Sequence, residues 1–295
     1  MKRFLRILII VTLLISTLGF STFAAELSDL QEQQTQVQAN QDMATSQLQA
    51  VQEELTENLQ QIQELNTNIT QYETEINEYN TQIVTLQDDI TKTEEEIKKA
   101  ESIVLLTHET PDGDAIGSSL AMYNALKQIG KKVDIIIPEC PRNFEFLAGA
   151  TEIKKEGKTD NYDLAIALDC ATIDRLNGWK NYFDEANVTI NIDHHTKNGM
   201  FADYNYVNPA SPACAQILII VLEALNIKIT KEIGECLLTG IITDTGGFKY
   251  QGVSAETFQF VAWLLQTGVN VSDVYKKAFQ IRTRSSFELA KIAIN

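Results

Sequence analysis

The sequence predicts an α/β protein, in which a parallel sheet has helices on both faces and a long α-helical coiled coil precedes it. After Ser102, short apolar runs alternate with helical patterns, which is typical of parallel βαβ units. The apolar runs are nearly continuous, as expected for strands that are buried on both faces. Before Ser102, apolar residues recur at alternating spacings of three and four, which is the heptad pattern of a coiled coil.

The first 24 residues have the composition of a secretory signal peptide. Three basic residues precede the apolar run at residues 7–20, and residues 22–24 offer small side chains at the positions that determine cleavage. An uncleaved membrane anchor is the alternative, although the run is short for a span of about 20 residues. We therefore expect export to the cell envelope and no stable membrane span after cleavage.

Residues 25–100 carry the coiled-coil pattern. Neither glycine nor proline occurs between Gly19 and Pro111. Steps of three and four from Leu27 to Ile97 visit 21 positions, of which 17 are apolar. One helix cannot bury this apolar stripe alone, so we expect the chain to self-associate through it. Asn58 within the stripe is either a register-setting polar pair or an incidental polar residue.

The negative charge of the chain lies mainly in the same segment. The formal net charge is −16, and residues 26–101 contain 17 of the 40 acidic side chains but 3 of the 24 basic ones. Binding of duplex DNA requires lysine and arginine side chains that displace counterions, and no basic stripe is present. We therefore exclude duplex DNA as a partner.

The four cysteines do not form a disulfide or zinc framework. None belongs to a CxxC pair, and Cys170, Cys214 and Cys236 lie in apolar runs, so we predict buried free thiols there. Free thiols suit a reducing compartment, which conflicts with the predicted signal peptide.

Four strands and five helices are predicted after Ser102. The strands are residues 103–107, 133–137, 164–168 and 188–192. The helices are residues 115–129, 213–225, 231–242, 255–266 and 271–281.

Carboxylates and imidazoles follow three of these strands and one helical run. The residues are His108, Asp112, Asp114, Asp169, Asp193, His194, His195 and Asp244. The carboxyl ends of parallel strands form a ligand crevice, so we expect these side chains to converge. Clustered carboxylates cannot all stay ionised without cations. Carboxylate and imidazole ligands without thiolates favour manganese or magnesium over structural zinc, and a pair of such ions suits phosphate-ester hydrolysis.

Each of these residues taken alone has an ordinary structural alternative. An aspartate after a strand is commonly a turn or helix N-cap residue, and Asp112 and Asp114 fit a polar turn before a helix near Ala115. A single histidine is more often structural than a ligand. However, all three histidines of the chain lie in these clusters. Their joint occurrence favours a metal site.

The clusters resemble, in order, the four motifs of the DHH phosphoesterase family. Residues 108–118 are similar to HxxPDxDAxGS, and Asp169 matches the single aspartate of the second motif. Residues 193–195 are the DHH motif itself, and residues 243–248 are similar to TDTGxF. Within the family, the likeness is to proteins of the bifunctional oligoribonuclease and PAP phosphatase type.

The resemblance implies two divalent metal ions, with Mn²⁺ as the first choice and Mg²⁺ as the alternative. One ion would be held by His108, Asp112 and Asp169, and the other by Asp114, Asp169, His194 and Asp244. Asp169 would bridge them, His195 would be the catalytic residue facing the phosphate, and Asp193 would orient the neighbouring histidine. The implied substrates are nucleotides: short single-stranded oligoribonucleotides, 3′-phosphoadenosine 5′-phosphate and related dinucleotides.

The sequence therefore divides into a signal peptide at residues 1–24, a coiled coil at residues 25–100 and a DHH phosphoesterase domain at residues 101–295. Relatives of this type continue into a DHH-associated domain that binds the substrate. Here residues 249–295 follow the last motif, with two glycines, so we expect that domain to be missing and the activity to be impaired.

The N-terminal part resembles the coiled-coil region of Gram-positive cell-wall hydrolases. The alternative function is therefore a secreted coiled-coil interaction protein of the cell envelope whose C-terminal module is not catalytic. The resemblance of the DHH part is to cytoplasmic enzymes, so the two indications of location conflict. Composition, charge and periodicity change together near residues 100–102, which is consistent with a natural fusion, a chimera or a gene-model join.

Overall fold

The computed structural model describes residues 1–157 and 161–280, and the chain divides into two compact units. Unit 1 is Met1–Tyr79 and unit 2 is Asn80–Asn295. Helix α1 (Lys2–Lys99) forms unit 1 and contributes its last turns to unit 2. The end of the last predicted helix, at Ile281, lies outside the described residues.

Unit 1 is a single helix whose apolar stripe is exposed to solvent. Ile62 and Ile69 are each 52% exposed, and Ile76 is 57% exposed. Near the N-terminus, α1 is also long and apolar enough to cross a membrane by length and composition, a test that a signal sequence passes as well.

Unit 2 is built on a sheet of six strands that are all parallel, in the order β3-β2-β1-β4-β5-β6. The strands are β1 (Ser102–Leu106), β2 (Lys132–Ile136), β3 (Ile153–Lys154), β4 (Leu164–Leu168), β5 (Val188–Asp193) and β6 (Tyr204–Val207). The predicted parallel sheet is confirmed. Prediction missed β3 and β6, because two and four residues are too few for a periodic signal.

The helices that follow the strands cover both faces of this sheet. They are α2 (Gly113–Gln128), α3 (Lys180–Asp184), α4 (Cys214–Ala224), α5 (Lys231–Asp244), α6 (Ala255–Leu265) and α7 (Val271–Tyr275), and a π-helical turn (Lys276–Gln280) follows α7. The first four predicted helices are confirmed within a few residues at each end. The fifth begins at Val271 as predicted, but it is α-helical only to Tyr275 and then π-helical to Gln280. The five-residue α3 was not predicted.

Alternate residues of β1 belong to the two separate hydrophobic clusters of unit 2. Ile103 and Leu105 lie in the larger cluster, which also contains residues of α2, α4, α5, α6 and α7. Val104 and Leu106 lie in the smaller cluster on the opposite face, with residues of α3. Because successive strand residues point to opposite faces, a nearly continuous apolar run serves both.

The last turns of α1 pack onto the larger cluster. Thr93 and Ile97 are fully buried, and Leu86 and Ile90 contact the cluster from the same side of the helix. These four residues are the end of the apolar stripe. Hence the stripe of residues 86–97 is covered by unit 2 itself.

The sheet order places a switch point between β1 and β4. The chain runs from β1 outward to β2 and β3, and then returns to β4 on the other side of β1 before continuing to β5 and β6. Ligands of open parallel sheets bind outside the carboxyl ends of the strands at such a point. The fold therefore directs attention to the residues that follow β1 and β4.

The cysteines are free thiols, as predicted. Cys170, Cys214 and Cys236 are fully buried, whereas Cys140 is partly exposed.

Candidate metal centre

Asp169 lies at the middle of the site, one residue beyond the end of β4. Its backbone φ is 53°, a left-handed value that is uncommon for a residue other than glycine, and its N–H donates to the carbonyl of Ile192. The side chain is 2% exposed. Oδ2 lies 3.7 Å from Nε2 of His108, and Oδ1 lies 3.5 Å from Nε2 of His194. One carboxylate thus faces two histidines from different strands.

The first candidate metal-binding group consists of His108, Asp112 and Asp169. Each offers one ligand atom, and the three atoms lie within 4.8 Å of one another. Asp112 is also the N-cap of α2, since its Oδ1 accepts from the N–H groups of Asp114 and Ala115 at 3.0 and 3.1 Å. Asp112 is therefore both the N-cap residue of α2 and a member of the first candidate metal-binding group.

The second candidate group consists of Asp114, His194 and Asp244, again with one ligand atom each within 4.8 Å. Nε2 of His194 lies 3.4 Å from Oδ2 of Asp244 and 3.9 Å from Oδ2 of Asp114. Nδ1 of the same ring lies 3.3 Å from the carbonyl oxygen of Ser211. That contact orients the ring so that Nε2 faces the carboxylates.

Backbone N–H groups of α4 hold Asp114 in place. The N–H of Cys214 donates to Oδ2 at 2.6 Å, and the N–H of Ala215 donates to Oδ1 at 2.9 Å. The hydroxyl of Ser118 also donates to Oδ1, at 3.2 Å. Asp114 is 1% exposed, so these donors at a helix N-terminus compensate for the lost hydration of the carboxylate.

Glycines let α2 and α5 approach closely around the two groups. A Cβ on Gly113 would overlap the Thr243 side chain, and one on Gly240 would lie 2.5 Å from Oδ1 of Asp114. Gly113 is the first residue of α2, and its lack of a side chain admits α5. Asp112 and Asp114 still reach different groups, as expected.

A third set of residues surrounds the two groups on the β5 side: Asp193, His194 and His195 with Asp169. Oδ1 of Asp193 lies 2.7 Å from Nδ1 of His195, and Oδ2 accepts from the amide of Asn198 at 2.6 Å. Asn198 also donates to Oδ1 of the buried Asn191. Asp193 is fully buried, whereas the His195 side chain is 37% exposed. Asp193 therefore holds His195 from the interior of the protein.

Burial and neighbouring charges shift the pKa values of the carboxylates and of His194 in this site. Burial raises the pKa of Asp114 well above its usual value, and burial raises that of Asp244 to about 6. Burial acts to raise the pKa of Asp169, but the nearby imidazoles of His108 and His194 outweigh it and lower that pKa. Although burial opposes it, the carboxylate of Asp169 raises the pKa of His194 to about 9. Burial thus opposes the ionisation of Asp114 and Asp244.

The donor set fits divalent cations. Nδ1 of His108 and Oδ1 of Asp169 are buried, and neither has a hydrogen-bond partner among the residues that the structure describes. Four carboxylates and two imidazoles, with no thiolate in either group, are ligands typical of manganese or magnesium. A cation would also remove the repulsion between these carboxylates.

All the predicted site residues lie together, but sequence analysis missed several that position them. Asn191, Asn198 and Ser211 were not singled out, and neither was the contact of Cys214 with Asp114. Asn198 and Ser211 lie in polar loops without periodicity. No local sequence signal distinguishes them from ordinary turn residues.

Comparison with known proteins finds similarity to the same family for this part of the chain. Residues 102–241 match the sequence profile described as "DHH family, N-terminal domain". The bifunctional oligoribonuclease and PAP phosphatase NrnA of Thermus thermophilus is 36% identical over 202 residues. The matched segment covers 66% of this chain and 59% of that protein. The protein of the same name from Bacillus subtilis is 23% identical over 186 residues, covering 62% of this chain and 58% of that protein.

Among solved structures, an exopolyphosphatase-related protein from Bacteroides fragilis has a similar fold. The TM-score is 0.66 at 27% identity, and the match covers 70% of this chain and 65% of that one. The chain thus spans less than two thirds of the length of these relatives.

Proposed function

Because residues 102–241 match the profile of the DHH family N-terminal domain, we propose that the chain is a phosphoesterase that works with two divalent metal ions. One observation carries this proposal. The Asp169 carboxylate lies between His108 and His194, which belong to two separate groups of ligand atoms. A bridging carboxylate is the arrangement expected where two cations are held a few Å apart.

We assign the first ion to His108, Asp112 and Asp169, and the second to Asp114, Asp169, His194 and Asp244. We propose Mn²⁺ as the preferred ion and Mg²⁺ as the alternative, from the oxygen and nitrogen donors. When bound, the ions supply Lewis-acid activation of the phosphate ester and of the attacking water. Asp114 is kept in place by α4, which fixes the carboxylate before any ligand binds.

His195 is the group that faces the substrate in this proposal. Asp193 holds its Nδ1, which leaves Nε2 as the ring nitrogen available to the substrate. The hydrogen bond to Asp193 raises the pKa of His195, which favours the protonated ring. A protonated Nε2 stabilises developing negative charge on the phosphate and protonates the leaving oxygen.

Nucleotides are the proposed substrates, because the NrnA relatives are named as oligoribonucleases and PAP phosphatases. Within that class we propose short single-stranded oligoribonucleotides, 3′-phosphoadenosine 5′-phosphate and related dinucleotides. Duplex DNA is not a proposed substrate, since the chain is strongly acidic.

The test is hydrolysis of three phosphate esters by the purified chain with Mn²⁺, with Mg²⁺ and with EDTA. The esters are bis(4-nitrophenyl) phosphate, a dinucleoside monophosphate and 3′-phosphoadenosine 5′-phosphate. We expect turnover that needs the metal and is lost in His195→Ala. Absence of turnover on all three esters with either metal would show that the proposal is wrong.

A second function is proposed for unit 1, from the exposure of its apolar stripe. The stripe from Leu27 to Ile83 remains exposed along the helix. We propose that it pairs with the same stripe of another copy of the chain, and that the apolar N-terminus directs export to the cell envelope. N-terminal sequencing of the protein from a secreting host tests the export: we expect the mature chain to begin at Ala25.

A further inference from the structure

We propose that the groove between the end of α1 and the loop after β5 binds an uncharged nucleoside that is joined to the reacting phosphate; this inference rests on the proposed function. The groove has a volume of about 450 Å³ and lies entirely within unit 2. That volume is within the range of roughly 300–1,000 Å³ that is typical of small-molecule sites.

His195 connects the groove to the metal centre. Its ring is part of the groove lining, and its Nδ1 lies 3.7 Å from Oδ1 of Asp169. A phosphate that contacts His195 therefore has one of its substituents at the mouth of the groove. The occupant of the groove is accordingly a group bonded to that phosphate.

The lining combines apolar side chains with hydrogen-bonding ones. Leu86 and Met200 are apolar, whereas Thr85, Asp89 and Asn208 offer donors or acceptors. Met200 is 56% exposed, and its backbone has a φ of 48°; its N–H donates to Oδ1 of Asn198 at 2.7 Å. The Asn198 contact thus holds an exposed, polarisable side chain against the groove, which suits the face of a base.

The charge of the lining indicates that the bound group is uncharged. Asp89 contributes a carboxylate, and no lysine or arginine lines the groove among the described residues. Lys92, one turn further along α1, pairs with Asp88 at 2.5 Å, and Lys197 is not part of the lining. A second phosphate in the groove would meet Asp89 without a compensating cation. An unphosphorylated base and sugar meets no such repulsion.

The experiment measures binding to the full chain of the methylphosphonate analogue of a dinucleoside monophosphate, in EDTA. This analogue is uncharged and is not cleaved, so binding is measured without turnover. Thr85→Trp fills the groove, and Gln87→Trp places the same ring on another face of α1. We expect Thr85→Trp to weaken binding at least about tenfold and Gln87→Trp to change it by less than about twofold. Circular dichroism melting confirms that both variants are folded.

Charge reversal provides a second, independent measurement. Asp89→Lys adds a cation to the groove, so we expect the affinity for adenosine 3′,5′-bisphosphate relative to the uncharged analogue to rise about tenfold. The inference is overturned if the wild-type chain does not bind the analogue at millimolar concentration. It is equally overturned if Thr85→Trp binds it as the wild type does, or if Asp89→Lys leaves the ratio unchanged.

Hydrolysis of bis(4-nitrophenyl) phosphate separates this inference from the proposed function. That ester carries no nucleoside, so its hydrolysis by the wild-type chain reports the metal centre, and Gln87→Trp should leave that hydrolysis unchanged. Binding of the analogue without any hydrolysis of the ester would reject the phosphoesterase and keep the groove. Hydrolysis of the ester without binding of the analogue would reject the groove and keep the phosphoesterase.

Discussion

Nδ1 of His195 lies 2.7 Å from Oδ1 of the fully buried Asp193. Burial acts to raise the pKa of Asp193, but hydrogen bonds from His195 and Asn198 outweigh it and lower that pKa, so Asp193 is a carboxylate that only accepts. Nδ1 of His195 must therefore carry the hydrogen of this bond. The pair consequently fixes which nitrogen of His195 is available for chemistry.

Replacing Asp193 by asparagine tests this relationship. We expect kcat for a phosphodiester to fall about 10–100-fold while the bound metal is retained, because a residue that orients the acting group is lost. Asp193 raises the pKa of His195, so the substitution lowers that pKa. If protonated His195 is the acting form, activity falls as pH rises through this pKa. The alkaline limb of the pH profile of kcat should then move to lower pH.

Asp184→Asn is the control for this measurement, since it removes an exposed carboxylate that pairs with Lys180. It should leave the profile unchanged. An unaltered alkaline limb in Asp193→Asn would contradict an orienting role for Asp193.

Removal of Asp169 tests the assignment of the metal ligands. Asp169→Ala should abolish binding of both ions, because its two oxygens face the histidines of both groups. Asp244→Ala should lose one ion, and His195→Ala should retain both and lose turnover. Elemental analysis after dialysis against Mn²⁺ measures the number of metal ions bound per chain. Retention of both ions by Asp169→Ala would show that this carboxylate is not shared.

The chemistry of the site could be predicted from sequence more completely than its supports. The ligands were recognisable because they follow apolar strands such as β1 and β4, whose carboxyl ends meet at one edge. By contrast, the bonds from the N–H of Cys214 to Asp114 and from Asn198 to Asp193 depend on where a helix and a loop settle in three dimensions. Periodicity does not report such contacts.

The apolar stripe of α1 shows a similar limit. Heptad spacing from Leu27 to Ile97 predicts that one face of the helix is covered, but it does not say by what. In the structure, Ile90 and Ile97 pack against the core of unit 2, whereas Ile69 is exposed. A stripe that is covered by a partner helix therefore has the same sequence pattern as a stripe that is covered by the chain's own domain.

A single methyl group on α5 should disturb the second group of ligands. In Gly240→Ala, the new Cβ would lie 2.5 Å from Oδ1 of Asp114 and 2.6 Å from Cβ of Ala215. We expect a loss of stability of about 1–3 kcal/mol from overpacking, together with weaker binding of one metal ion. Urea unfolding and Mn²⁺ titration measure the two effects. Gly178→Ala is the control, because no atom lies within 4 Å of its added Cβ.

Charges in the exposed stripe should prevent association of the chain through unit 1. The test uses the chain that begins at Glu26. Replacing Ile69, Ile76 and Ile83 by aspartate places three carboxylates in the proposed interface, where unpaired charges are costly. We expect a dimer or higher oligomer to become a monomer in sedimentation equilibrium. The matched control places aspartate at Gln60, Thr67 and Thr74, which keep the heptad spacing on another face of the helix. A monomeric wild-type chain at high micromolar concentration would reject the association.

The alkaline pH dependence of stability should depend on Tyr206, a β6 residue that is 2% exposed. Burial, reinforced by the carboxylates of Asp89 and Glu256, raises its pKa from 10.0 to about 12. Between these values the unfolded chain releases the phenol proton and the folded chain keeps it. The contribution of Tyr206 to stability is therefore fully present below pH 10 and is lost as pH rises toward 12.

Tyr206→Phe removes this titration while retaining the buried ring. The free energy of unfolding of the wild type should fall relative to that of Tyr206→Phe by about 2 kcal/mol between pH 10 and pH 12, because a tenfold change in an ionisation constant corresponds to about 1.4 kcal/mol. Urea unfolding of both proteins at several pH values measures the difference. Tyr250→Phe, at an exposed position, should follow the wild type throughout. Parallel curves for the wild type and Tyr206→Phe would mean that this phenol ionises equally in the folded and unfolded chain, and that Tyr206 is not buried in solution.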